Sequence, residues 1–263
     1  MKNMLLLIVA FCLSVIVKAQ DVNEYIEAAK QGDADAQAIL GAMYYDGNGL
    51  PQDCLESRKW FEKSAEQGNA IGQWGLGILL YSGCGTKQDL EEAVKWFKLS
   101  AEQGYAFAQS DLASCYENGK GVPKNDSEAV KWYRKAAEQG HSGAQLQLGI
   151  CYKIGRGTDV NYEEAVKWYK KSAEQGNARA QSNLGLCYYN GQGVEKNYKE
   201  ALKWYYKAAE KEDAYAQNNI GVCYEYGHGV LKNKKEAIKW YKKAARNGLE
   251  IAQTALSKLN ETW

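Results

Sequence analysis

The chain reads as an all-α solenoid of helix pairs, and three periodicities predict it. Trp60, Trp96, Trp132, Trp168, Trp204 and Trp240 recur every 36 residues, each directly after a lysine. Gln37, Gln73, Gln109, Gln145, Gln181, Gln217 and Gln253 keep the same interval, and so does a Gly-x-Gly pair at 47/49, 83/85, 119/121, 155/157, 191/193 and 227/229. Self-similarity at a fixed period of a few tens of residues marks stacked units, each too small to bury its own hydrophobic face. The units run 33–68, 69–104, 105–140, 141–176, 177–212 and 213–248.

Residues 1–19 stand apart. Lys2 opens a fourteen-residue apolar run from Met4 to Val17, and Val17-Lys18-Ala19 precedes a cleavage point. A secretory signal cleaved after Ala19 is expected. A membrane-spanning helix needs about 20 apolar residues, more than this run supplies, so no integral membrane segment is expected after cleavage. The exported chain then belongs in the periplasm or the medium, or in the secretory pathway of a eukaryote. Residues 20–32 match the second half of a unit and 249–263 the first half, which makes them the two capping helices a solenoid needs.

Within a unit, helix A carries Ala36, Leu40, Gly41 and Tyr44 at the spacing of one helical face. The Gly-x-Gly loop follows. A phosphate cradle needs a strand before it and a third glycine, so these glycines are read as positive-φ residues closing helix A. Asp53, Asp89, Asn125, Asn161, Asn197 and Asn233 are each followed three residues later by glutamate. That is the capping-box pattern, and it accounts for the recurring glutamates without catalysis. Gly68, Gly104, Gly140, Gly176 and Gly248 close helix B. Glu212 stands in their place in the fifth unit, where a looser or differently shaped turn is expected. The tryptophans are assigned to the helix B core.

The run Ala178, Ala180, Gln181, Leu184, Gly185, Tyr188, Gly191, Gly193 and Val194, closed by Ala201, Trp204, Tyr205, Ala208 and Ala209, resembles the Sel1-like repeat almost position by position. The resemblance covers the chain beyond the signal. Ala113 in place of the Gly41 type, Leu80 in place of the Tyr44 type and Ser57 in place of the helix B alanine depart from it. It implies a right-handed, tetratricopeptide-like superhelix of antiparallel helix pairs with a concave ligand surface. It also implies an adaptor role, binding a protein or peptide. Some cysteine-rich relatives are catalogued as beta-lactamases, which supplies an enzyme alternative. Abundant aromatics supply a glycan-binding one.

Chemistry is thin. The 33 basic side chains balance 32 acidic ones, which argues against a nucleic-acid surface. His141 and His228 fall at different unit positions without metal-ligand spacing, and both are read as surface residues. No S-x-x-K, S-D-N or K-T-G element occurs. No catalytic residue, metal or cofactor is expected, and a monomer is. Cys115, Cys151, Cys187 and Cys223 share one unit position; equivalent points on stacked helices lie about 8–10 Å apart, too far for a disulfide, so they read as small core residues. Cys54 and Cys84 lie outside that ladder, near the loops of neighbouring units, and are the candidate disulfide if the compartment is oxidising.

On helix A, residues 36, 37, 40, 41, 43 and 44 repeat with little change, whereas 35, 38, 39, 42, 45 and 46 vary. A core cannot vary freely, so the varying arc is expected to face solvent. Helix A lines the inner curve of such solenoids, which makes that arc the candidate ligand surface. Trp74 is its most conspicuous member and a natural anchor, unless it packs on the N-terminal cap. Phe107, Asp111, Gln147, Arg179, Asn183, Tyr215 and Asn219 complete the candidate surface.

Overall fold

A computed structural model describes residues 19–262, with side chains from residue 22; the expected signal segment, save Ala19, lies outside the described residues. Among the described residues there are fourteen helices and no strand. They are α1 (Ala19–Lys30), α2 (Ala34–Asp46), α3 (Cys54–Glu66), α4 (Ala70–Ser82), α5 (Leu90–Glu102), α6 (Ala106–Asn118) and α7 (Asp126–Glu138). After these come α8 (Ser142–Ile154), α9 (Tyr162–Glu174), α10 (Ala178–Asn190), α11 (Tyr198–Ala209), α12 (Ala214–Tyr226), α13 (Lys234–Arg246) and α14 (Glu250–Lys258). The chain forms two compact units, one up to Ala136 and one from Ala137 on. In the first, successive helices from α1 through α6 pack on one another, and α2 also reaches α4; in the second, successive helices from α8 through α14 do so, and α10 reaches α12.

Capping sets the helix boundaries. The even-numbered helices are the A helices and the odd-numbered helices from α3 to α13 the B helices. Gly47, Gly83, Gly119, Gly155, Gly191 and Gly227 end six A helices at φ between 66° and 78°. That left-handed conformation costs glycine nothing. The second glycine serves close approach. A Cβ on Gly121 would collide with the Leu90 carbonyl, and one on Gly193 with that of Tyr162, so each loop rests on the first turn of the preceding helix B.

At the B helices only half of the expected capping box forms. Asp53, Asp89, Asn125, Asn161, Asn197 and Asn233 accept from the backbone N–H three residues on. The return bond from glutamate is displaced. Each cap N–H donates instead to a helix A carbonyl, from Asp53 to Tyr44 at 2.8 Å through Asn233 to Tyr224 at 2.8 Å. Each glutamate pairs with the lysine three residues on, as Glu56 does with Lys59 at 2.5 Å. The cap therefore ties helix B to helix A.

The core assignment of the tryptophans needs correction. Trp60, Trp96, Trp132 and Trp240 are only half-buried, and Trp168 and Trp204 alone among the six are buried. The following residue is the true core element: Phe61, Phe97, Tyr133, Tyr169, Tyr205 and Tyr241 are all at most 3% exposed. Glycines on helix A make room for these rings; a Cβ on Gly77 would stand 2.7 Å from Phe97, and one on Gly185 2.6 Å from Tyr205. Five of the tryptophans carry a lysine ammonium over the ring, Lys63, Lys135, Lys171, Lys207 and Lys243, at 3.9–4.4 Å from the centroid. Such contacts add about 0.5–1 kcal/mol at exposed sites.

The periodic glutamines form a polar spine. Gln37, Gln109, Gln145 and Gln181 donate to the carbonyls of Ala29, Ala101, Ala137 and Ala173 in the preceding helix, at 3.0–3.1 Å. On Gln37, Gln73, Gln145 and Gln217 the Oε1 atom accepts from the end of the next helix B, from Gln67, Gln103 and Gln175 at 2.7–2.8 Å and from Asn247 at 3.0 Å. The fifth repeat departs. Lys211 stands where that terminal amide belongs and donates to the Gly176 carbonyl, leaving Oε1 of Gln181 buried without a partner. The turn beside it keeps a left-handed residue, although α11 ends one residue earlier than the other B helices. Glu212 adopts φ 61°, and its N–H bonds Ala209 at 3.0 Å, as Gly176 does Ala173 at 2.9 Å. A non-glycine residue there costs on the order of 1–2 kcal/mol. Replacing Lys211→Gln together with Glu212→Gly should therefore stabilise the protein by about 1–3 kcal/mol, read as a higher urea midpoint at constant slope. A lower midpoint would contradict the assignment of strain to this turn.

Candidate interaction surface on the helix A faces

In the first unit the expected exposed anchor is covered. Trp74 is 7% exposed and packs neither outward nor on the N-terminal cap. Its indole Nε1 donates to Oδ2 of Asp111 at 2.7 Å, and its ring meets Tyr105 edge-on at 5.5 Å and Phe107 at 5.9 Å. The reason is geometric. Residue 38 of the unit faces the next helix A rather than solvent, so Ala38, Leu146 and Ser182 are buried as well. Residues 35 and 39 keep the predicted access to differing degrees. Phe107 and Asp111 are half-buried.

Asp111 is an unusual carboxyl. Burial pushes its pKa up from 3.8 to about 6, opposed by the Trp74 hydrogen bond. Asp46, one of the varying helix A positions, is raised by burial to about 6 as well.

In the second unit two columns of equivalent residues lie open. Residue 35 of the unit recurs as Arg179, Tyr215 and Ile251, all exposed, with Tyr215 at 62%. Residue 39 recurs as Gln147, Asn183 and Asn219, all half-buried. Asp213, the N-cap of α12, stands beside them. Burial raises its pKa, while the Ala216 N–H, the Ser182 hydroxyl and the Arg179 charge oppose the rise.

The two histidines are half-buried rather than on the surface. His141 caps α8, Nδ1 accepting from the Ala144 N–H at 3.0 Å, and burial lowers its pKa to about 4. His228 stacks on Tyr198 at 4.5 Å, with the Tyr189 hydroxyl 2.6 Å from Nδ1. The His228 cluster was not visible in the sequence, since Tyr189 and Tyr198 lie in the preceding repeat. Among the described residues no group of three or more His, Cys, Asp or Glu could hold a metal ion, and no helix is long and apolar enough to cross a membrane. Cys115, Cys151, Cys187 and Cys223 are buried free thiols; burial pushes Cys115 and Cys223 up to about 12 and Cys187 to about 11. Cys54, at the start of α3, and Cys84, in the loop after α4, are joined, with Cα atoms 5.5 Å apart.

Thirty-six-residue helix pairs, a glutamine spine and a glycine-closed helix A together define a class of helical repeat protein. The chain belongs to the Sel1 repeat family: the Sel1 repeat model matches 34–69, 70–105, 106–141, 142–177, 178–213 and 214–249. Each match begins one residue after the unit drawn from the sequence. Similar solved structures include a protective antigen of uropathogenic Escherichia coli strains that displays this repeat fold, at 36% identity and a TM-score of 0.81. The likeness covers 88% of this chain and 50% of that one, so the chain spans half the antigen's length. A Sel1 repeat protein from Oxalobacter formigenes is 34% identical with a TM-score of 0.73, over 89% of this chain and 68% of that one. None of the curated proteins matches the chain. Sel1 repeat proteins are generally protein-interaction scaffolds and mostly non-enzymatic.

Asp111 gives a pH test. Its folded pKa lies above its unfolded value, so between about pH 4 and 6 the folded state binds the extra proton, and stability falls as pH rises through that window. Asp46 acts in the same direction, and His141, lowered to about 4, in the opposite one. The difference between the parent and Asp111→Asn isolates Asp111. The variant should match the parent near pH 4 and exceed it by on the order of 2 kcal/mol at pH 7, measured by urea unfolding at both pH values. An equal difference at both would show that the carboxyl is not held protonated.

Proposed function

We propose that this chain is an exported scaffold that binds a protein or peptide along its helix A faces, through the second-unit columns Arg179–Tyr215 and Gln147–Asn183–Asn219. One observation carries the reading: packing uses the repeated residues, while these repeat-variable positions remain accessible, with Tyr215 62% exposed. Amide side chains at one unit position suit the backbone of an extended polypeptide, because each offers a donor and an acceptor. An exposed tyrosine beside an arginine is an economical anchor. Trp74, Phe107 and Asp111 belong to the reading only as a packed cluster in the first unit, where Phe107 and Asp111 supply the accessible edge. Asn183→Ala combined with Tyr215→Ala should leave the helical circular dichroism unchanged and weaken capture of the native partner at least tenfold. Unchanged capture by the folded variant moves the site elsewhere, and nitrocefin turnover by the purified protein would favour the hydrolase alternative.

Export is part of the proposal. Lys2, the apolar run and Ala19 support it, and so does the Cys54–Cys84 pair, since disulfides persist in oxidising compartments. The native protein should begin at Gln20 and carry no free thiol at Cys54 or Cys84. N-terminal sequencing and alkylation mapping check both, and a chain beginning at Met1 would refute the cleavage.

A further inference from the structure

Three departures from the repeat pattern fall at the junction of the first and second repeats. Five helix B tryptophans are covered by the lysine three residues on. After Trp96 that position is Leu99, 46% exposed, so this ring has no ammonium of its own. On α4, Leu80 stands where the other repeats have Tyr44, Tyr116, Tyr152, Tyr188 and Tyr224. On α3, Glu62 stands where the other repeats have Lys98, Arg134, Lys170, Tyr206 and Lys242.

The result is an open cavity of about 240 Å³ between α3, α4 and α5. Leu76 and Leu80 form its apolar lining and Trp96 an aromatic wall, while Glu62, Glu66 and Glu92 face it with Arg58 as the one lining cation. Arg58 is held by Glu62 at 2.6 Å and Glu92 is shared with the solvent-exposed Lys95 at 2.8 Å. Glu66 is exposed on the rim. An aromatic face attracts a cation through its quadrupole, carboxylates add Coulomb attraction, and leucines suit a methylene stem. A lysine side chain offers all three partners in one group. The protein itself shows this pairing five times, always with lysine.

We propose that this pocket binds the ammonium and stem of a lysine on a partner polypeptide, giving Trp96 the cation that the other repeats provide from within. The site belongs to the first unit and does not depend on the second-unit columns. It is tested on the full chain with N-acetyl-lysine N-methylamide, following the Trp96 indole N–H by NMR and assigning that signal by its loss in Trp96→Phe. A saturable shift is expected with the lysine probe and none with the norleucine analogue. Leu99→Lys, which restores the residue that five repeats carry, should weaken the probe at least tenfold, and Leu99→Gln should bind as the parent does. The proposal is overturned by no saturable shift, by an equal response to norleucine, or by unchanged affinity in Leu99→Lys. Equal loss in Leu99→Gln, or a preference for free putrescine over the capped lysine, overturns it as well.

Discussion

A buried carboxamide with both ends engaged is the constraint on which this architecture rests. The glutamine early in each helix A offers an amide donor and an oxygen acceptor to its neighbours, and an orphaned buried polar group, such as Oε1 of Gln181, costs about 1–3 kcal/mol. Gln37 finds the Ala29 carbonyl behind it and the Gln67 amide ahead of it, 30 residues later. Gln145 does the same with Ala137 and Gln175. These bonds fix how far one helix pair slides along the next. The spine therefore adds a polar registration to the apolar core.

The other repeated features follow from that registration. Once helix A lies at a set distance from its helix B, a wholly buried ring such as Tyr205 needs a glycine opposite it, and Gly185 supplies the space. Once the Gly-x-Gly loop rests on the preceding helix B, only a residue without Cβ fits at Gly121 or Gly193. The cap N–H of helix B then faces a helix A carbonyl, which displaces the glutamate from its usual return bond and leaves it to pair with lysine. Each constraint is local, and each is repeated because the spine repeats.

Period, helix order, loop glycines and cap residues were legible in the sequence because each has a local signature. The ranking of two adjacent aromatics was not. Trp132 and Tyr133 are equally periodic, and only packing shows that the tyrosine is enclosed while the indole lies half-open under Lys135. Variation misled at Trp74: residue 38 of the unit varies not because it meets solvent but because it meets its own neighbour, here Phe107 and Asp111. A varying position at an inter-repeat contact is matched pairwise, and a single-unit helical wheel cannot reveal that. Glu212 taught the converse. A lone departure from glycine reads as a changed turn, yet the surrounding hydrogen bonds hold the left-handed backbone and the strain stays local.

In a repeat protein the shared residues are consumed by stacking, so individuality lies in the departures. A single departure is usually absorbed, as Ala113 is, fully buried where other repeats have glycine. Departures that converge are harder to absorb, because each removes a group that another would have compensated. Leu80 forfeits a ring and Glu62 a positive charge on the lining of one volume, and Leu99 forfeits the ammonium over Trp96, which walls that same volume. Packing alone gives no reason to open a cavity and surround it with carboxylates, since closure by tyrosine and lysine is the solution found at the equivalent positions of the other repeats. Local rules broken together, at a cost the rest of the repeat could have avoided, are what a binding site looks like in a fold whose shared positions are fixed by stacking.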